Sequence, residues 1–181
     1  MPQLNKQDRE TLLQIARDSV RAQLSGQNMG SDPSDPVSPL LAECRGVFVS
    51  IHHGIELRGC VGRIDPKNPL YKNVSDCAIA AATEDPRFPP LQLSELPEVE
   101  FEISVLSPIQ EVTDLSNIQI GVHGLIVSRG NARGLLLPQV AVQYEWSLEQ
   151  FLGETCRKAG LPPTAWKQGA TVQCFTAEVF P

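Results

Sequence analysis

The sequence predicts an α+β fold with mostly antiparallel sheets, and three observations carry that prediction. Strand-like runs and helical patterns interleave without the regular strand–helix–strand cycle of a parallel sheet. The run from Val99 to Val105 sets Val99, Phe101, Ile103 and Val105 against Glu100, Glu102 and Ser104, the alternation of a strand with one buried face. Two pairs of strand-like runs are separated by short turn-forming segments, as in β-hairpins.

Taken in order, residues 5–24 read as an amphipathic helix. Asn5 can cap it with Asp8 three residues on, and Leu12, Ile15, Ala16, Ser19, Val20 and Leu24 share a face. Ser25-Gly26 stops it, and the polar, turn-rich stretch 27–36 reads as a surface loop. Strands follow over 45–51 and 55–61, with His52-His53-Gly54 as the turn. A two-residue His53-Gly54 loop would place Cys60 opposite Val47, whereas a longer loop would shift the register and reverse the faces. A turn over 65–69 leads to a helix over about 70–83 with Val74, Cys77, Ala78 and Ala81 inward, and the proline-rich segment 85–91 breaks it. After the strand at 99–105 come a strand over 118–128, a turn over 129–133 and a return strand over 134–137. Pro138 opens a short helix through Val142. Ser147 and Gln150 form a capping box for the next helix, Trp146 staples onto Phe151, and the helix ends near Lys158-Ala159-Gly160. A stiff connection over 161–166 precedes a final strand over 171–180.

The totals narrow the class. At 181 residues, 41% hydrophobic and 20% charged, the chain reads as a single globular domain over 1–181. Fifteen basic against twenty-one acidic residues give a net charge of −6, which argues against broad, charge-driven nucleic-acid binding. The apolar runs are too short to span a bilayer, and the first residues lack the apolar core of a signal peptide. Five scattered cysteines are an odd number, read as reduced thiols in a cytoplasmic protein rather than a disulfide framework.

The densest chemistry lies in Leu57-Arg58-Gly59-Cys60-Val61-Gly62. On a strand, Arg58 and Cys60 share a face, and a guanidinium beside a thiol favours the reactive thiolate. The plainer alternative is a buried Cys60 with Arg58 reaching to water. Arg87, stiffened by the prolines around Arg87-Phe88, suits bidentate recognition of an anion, or else a surface ion pair with Asp85. His123, between two glycines, could be the base partner of Cys60 or a histidine satisfied by backbone groups. Cys60 with His52 and His53 is a weaker metal grouping, since no Cys-x-x-Cys spacing supports it. Glu100 and Glu102 form either a carboxylate pair or an ordinary solvated face.

With Leu57–Gly62, Arg87-Phe88-Pro89-Pro90, Gly121-Val122-His123-Gly124 and Leu137-Pro138-Gln139-Val140-Ala141 in this order, the chain resembles the AMMECR family. It is most similar to the microbial branch, the AmmeMemoRadiSam system A proteins, from the first helix to Phe180. The Leu-Arg-Gly-Cys-Val-Gly string is the family hallmark. The resemblance implies two unequal lobes, the larger holding both termini and the smaller lying within about 107–160. It implies a cleft between them lined by the hallmark. Cys60, Arg58 and His123 then become the catalytic candidates, and Leu57, Gly59, Gly62, Arg87 and Phe88 the substrate-binding ones. The resemblance also implies a modification pathway shared with a Memo-like protein and a radical S-adenosylmethionine protein, and a substrate that could be macromolecular. It brings no defined reaction or cofactor. A binding or adaptor module that holds a peptide or protein partner stays open as the alternative. The chain departs from the family after Val140-Ala141, where an acidic residue and then Gly-Trp are usual; Gln143 and Glu145-Trp146 stand there instead. That departure implies a turn without a need for glycine.

Overall fold

The computed structural model describes residues 3–27, 38–64 and 67–181. The expected surface loop lies outside these residues except for Gln27, as do Asp65 and Pro66 of the expected turn. The fold is the expected mixture of helices and antiparallel strands. Two compact units divide it, Met1–Leu106 with Glu178–Pro181, and Ser107–Ala177. No helix among the described residues is long and apolar enough to cross a membrane.

In the first unit, helix α1 (Lys6–Leu24) begins as its local sequence dictates. The Asn5 side chain accepts from the Asp8 N–H at 2.9 Å, and the Asp8 carboxylate accepts from the Asn5 N–H at 3.2 Å, so two orphan donors are satisfied reciprocally. Its stripe of Leu12, Ala16, Ser19 and Val20 is buried. Helix α2 (Leu70–Thr83) packs against it, and the Ser19 and Ser75 hydroxyls meet at 2.7 Å. Strand β1 (Val47–His53) pairs antiparallel with β2 (Glu56–Arg63) on one side and β3 (Glu100–Leu106) on the other. Val47, Val49 and Ile51 are fully buried and join the α1 and α2 side chains in one core. Phe48, Ser50 and His52 point to the opposite face by the two-residue period.

The hairpin turn differs from the expected one. His52 and His53 belong to β1, and the turn is Gly54-Ile55, with Gly54 at φ 59°. A two-residue turn with a left-handed first residue matches the strand twist, and glycine takes that conformation without a side-chain clash. His-His-Gly reads as turn-like in isolation, but pairing continues through both histidines. Cys60 therefore lies opposite Ser50, not Val47.

In the second unit, β5 (His123–Arg129) pairs with β6 (Ala132–Leu136) and with residues 171–176 of β7 (Thr171–Phe180), whose last three residues belong to the first unit, and the short β4 (Gln110–Glu111) pairs with β7. Helices α3 (Pro138–Gln143) and α4 (Leu148–Lys158) pack on this sheet, closing a core around Phe151, Leu152, Leu125 and Val127. Ser147 and Gln150 make the expected capping box. The expected strand over 118–128 starts only at His123, because Leu115–Asn117 forms a 3-10 turn and residues 118–122 complete the bend. Glu145 has φ 52°, the one positive value at a residue other than glycine among the described residues. The turn before Trp146 thus forms without a glycine, and Glu145 takes the left-handed conformation that glycine would adopt more easily, at some strain.

Helix α2 approaches β2 so closely that a Cβ built at Gly59 would stand 2.1 Å from the carbonyl oxygen of Ala81. Backbone cannot yield as a side-chain tip can. Gly59→Ala is therefore expected to destabilise the fold by about 3 kcal/mol in urea denaturation. Gly26→Ala, with open space around it and only φ strain, is expected to cost about 1 kcal/mol.

Candidate functional site

Cys60 sits on β2 with β1 as its paired neighbour. Its N–H donates to the Asp85 carboxylate at 2.9 Å, and its C=O accepts from Arg87 Nη2 at 3.3 Å. Both backbone groups therefore point away from β1. The Ser50–Cys60 pair is then of the non-hydrogen-bonded kind, in which facing side chains come closer together. The Ser50 hydroxyl accordingly donates to the Cys60 sulfur at 3.3 Å. Cys60 is half-buried, so it is neither sealed in the core nor fully exposed.

Asp85 follows α2 directly, and the helix end delivers it to β2. Its side chain is 3% exposed. It binds Arg87 twice, Nε to Oδ1 at 2.9 Å and Nη2 to Oδ2 at 2.6 Å, and accepts from the Arg87 N–H at 3.1 Å. Arg87 holds the Asp85 carboxyl well below the usual carboxylate range, against the opposing effect of burial. Arg87 in turn keeps its charge more firmly than usual, first through Asp85 and also through the Cys60 side chain. The Arg87 side chain is 55% exposed and lies over the half-buried Phe88 ring at 5.4 Å. Its Nη1 makes no hydrogen bond to the described residues. The expected ion pair with Asp85 is formed, with its carboxylate buried rather than at the surface, and it occupies the bidentate Nε–Nη2 edge of Arg87.

Arg58 is aimed elsewhere. Pairing runs Gly59 to Ile51 and then Leu57 to His52, which leaves Arg58 as the extra residue of a β-bulge. The guanidinium binds both Glu95 oxygens, at 3.1 and 3.2 Å, and the carbonyls of Pro89 and Pro90, at 2.7 and 3.4 Å. Arg58 lowers the Glu95 carboxyl below its ordinary value. Shared-face alternation with Cys60 is thus broken by the bulge, and the cation engaging the Cys60 segment is Arg87. Leu57 and Arg58 line a pocket of about 190 Å³ with His53, Glu56, Glu95 and Glu98.

The remaining candidates are placed as follows. Gly59 lies against α2, and Gly62 lies beneath the Phe48 ring, where an added Cβ would stand 2.2 Å from a ring carbon. His123 belongs to the second unit, where its Nδ1 accepts from the Gln119 N–H at 3.0 Å. His53 faces Glu98 at 3.3 Å. Among the described residues no set of three or more His, Cys, Asp or Glu side chains is placed to hold a metal ion, so Cys60, His52 and His53 do not assemble as one. Glu102 is half-buried and Glu100 exposed on the outer face of β3. Cys77, buried on α2, shows the contrasting thiol: burial pushes it up to about 11, with the Arg63 charge pulling the other way.

Three residues of this site escape a reading of local sequence. Ser50 interrupts the apolar side of nothing and looks like any outward strand residue. Asp85 is legible only as an ion-pair partner of Arg87, with nothing linking it to Cys60, and Glu95 only as one of several glutamates after the prolines. Register and the bulge, both products of tertiary pairing, give them their roles.

A family model described as AMMECR1 matches residues 13–180. A protein of Methanothermobacter thermautotrophicus is 43% identical over 184 residues, covering 98% of this chain and 95% of its own. A protein of Pyrococcus furiosus is 43% identical over 183 residues, covering 94% and 86%. The crystal structure of an uncharacterized protein from Pyrococcus horikoshii superposes with a TM-score of 0.89 at 38% identity, over 97% of this chain and 92% of that one.

Because Asp85 titrates lower in the folded than in the unfolded chain, its contribution to stability is complete above the ordinary carboxylate range near pH ~4 and disappears as pH falls through the folded value. Asp85→Asn leaves Arg87 unpaired and is expected to cost about 2 kcal/mol in urea denaturation at neutral pH. The variant should also lose less stability than the parent on acidification below pH ~4.

Proposed function

The chain belongs to the AMMECR1 family, and from the site built on its hallmark segment we propose a thiol-centred function in which Cys60 is a nucleophile or group carrier. One observation carries this reading. Asp85 and Arg87 fix both backbone groups of Cys60 while the Ser50 hydroxyl donates to its sulfur, so a partly exposed thiol is held in one orientation. A donor on sulfur favours the thiolate, the form that attacks electrophiles. Arg87 presents its free Nη1 edge as the group that orients an anionic or carbonyl-bearing substrate, a task its rigid, Asp85-anchored fork suits. Phe88, over whose ring the Arg87 guanidinium lies, supplies an apolar contact beside it, and Leu57 one in the neighbouring pocket lined by Arg58 and Glu95. The similarity to AmmeMemoRadiSam system A proteins supports a place in a modification pathway beside a Memo-like protein and a radical S-adenosylmethionine protein, in the cytoplasm, on a substrate that can be macromolecular.

A second reading, a non-catalytic module that captures a peptide or protein partner, draws on Arg58, Gly59 and Gly62. All three serve the packing of the hallmark: Arg58 ties it to Glu95 and the prolines, and the glycines admit α2 and Phe48. A segment so fully used as scaffold is suited to shaping a surface.

Alkylation followed peptide by peptide separates the two readings, with the exposed Cys44 of the same chain as the reference thiol. The first reading expects Cys60 to react with iodoacetamide at neutral pH at least about tenfold faster than Cys44. Equal or slower reaction overturns it. Cys60→Ser that keeps partner capture and pathway output favours the module. Arg87→Gln is expected to reduce the preference of Cys60 for anionic iodoacetate over neutral iodoacetamide by about tenfold, the loss of one charge-assisted contact.

A further inference from the structure

The groups that touch Cys60 are donors. The Ser50 hydroxyl donates to its sulfur at 3.3 Å. Arg87 Nη2 donates to its carbonyl at 3.3 Å, and the guanidinium charge also acts on the thiol side chain. No carboxylate or imidazole among the described residues is hydrogen-bonded to the sulfur, and Asp85 gives its oxygens to Arg87 and the Cys60 amide. Within Arg87, Nε and Nη2 are taken by Asp85 and the Cys60 carbonyl, so the paired edge that grips a carboxylate or phosphate is filled. Nη1 remains, a charged donor for a single oxygen on a side chain that is 55% exposed. Acyl transfer to a thiol calls for an acid or base at the site to move the leaving group's proton. Displacement at an O–O bond needs only a thiolate and a donor for the oxygen that departs. The donors around Cys60 match the second reaction. Cys77 is buried with the α2 side chains, on the sheet face opposite to Ser50 and Cys60, so it cannot capture the product.

We propose that Cys60 is a hydroperoxide-reactive thiol, converted to a sulfenic acid while Arg87 stabilises the departing oxygen and Ser50 positions the sulfur. This activity goes beyond the thiol-centred reading given above and rests on it. The thiolate, its proton given to solvent, attacks the terminal OH oxygen of the hydroperoxide. The S–O bond forms as the O–O bond breaks, so sulfur is oxidised by two electrons and the peroxide is reduced. The bonding pair leaves on the other oxygen as hydroxide or alkoxide beside the Arg87 charge, and that oxygen takes a proton from water. The sulfenic acid keeps the hydrogen of the attacked OH. Small-molecule thiols return it to the thiol. The first forms a mixed disulfide and releases water, and the second displaces Cys60 and leaves as the small disulfide. While oxidised, the sulfur is no nucleophile, so peroxide switches off whatever else Cys60 does.

The test compares two reagents on the full chain at neutral pH, hydrogen peroxide with dimedone as the sulfenic-acid trap and iodoacetamide, read peptide by peptide with Cys44 as reference. The rate of Cys60 relative to Cys44 is expected to be at least about tenfold greater with peroxide than with iodoacetamide, since only peroxide releases an oxygen for Arg87 to meet. Arg87→Gln lowers the peroxide rate of Cys60 about tenfold more than its alkylation rate. Ser50→Ala slows both reagents together, and Ser50→Thr, which keeps the hydroxyl, restores both. Equal relative rates with the two reagents overturn the proposal, and the thiol-centred reading stands if Cys60 still outpaces Cys44 in alkylation. If Cys60 outpaces Cys44 with neither reagent, both fall. A folded Arg87→Gln that slows the two reagents alike overturns the role of the departing oxygen, and unmoved rates in Ser50→Ala overturn the role of Ser50. Should Arg87→Gln fail to fold, the parental relative rates decide.

Discussion

The arrangement depends on a single fact of pairing: Cys60 meets β1 in a non-hydrogen-bonded position. That sends its amide and carbonyl outward, where they must find partners other than a strand, and it draws its sulfur toward the side chain across the ladder. Asp85 answers the amide, Arg87 answers the carbonyl, and Ser50 meets the sulfur. The position of Asp85 depends on α2, and α2 can approach only because residue 59 has no side chain. The chain of cause runs from one glycine to a helix, from the helix end to a carboxylate, and from the carboxylate to the orientation of a thiol.

The six-residue hallmark divides its labour along this line. Gly59 and Gly62 admit neighbours, one a helix backbone and the other an aromatic ring. Arg58 fastens the strand to the proline-rich segment beyond α2. Leu57 stays partly open beside a pocket. Only Cys60 presents a chemically reactive atom. The density of glycine and charge that marks the segment in the sequence thus has two origins, and most of it is architecture around one sulfur.

Local rules made much of the fold legible. The caps at Asn5 and Ser147, the buried stripe of α1 and the alternation of β3 all depend on near neighbours, and all appear where the residues place them. What depends on pairing did not show. The bulge at Arg58 is invisible to a strict two-residue period, so its side chain was assigned to the face of Cys60. His52-His53-Gly54 looks like a turn because glycine and polar rings resemble one, yet the ladder extends through both rings. The Asp85–Arg87 pair could be read from two residues of sequence; that it embraces Cys60 could not. Glu145 shows the reverse case, since its side chain disguises a backbone shape that glycine usually signals.

Strand β2 has β1 on one side of it in the first unit, and an open strand flank is a template on which foreign chains can add. At Cys60 that flank is already occupied: a carboxylate stands where an incoming carbonyl would accept, and a guanidinium where an incoming amide would donate. Two side chains imitate one residue of a missing strand. The same clasp that steadies the thiol therefore takes the places at which a foreign strand would pair with this stretch of β2.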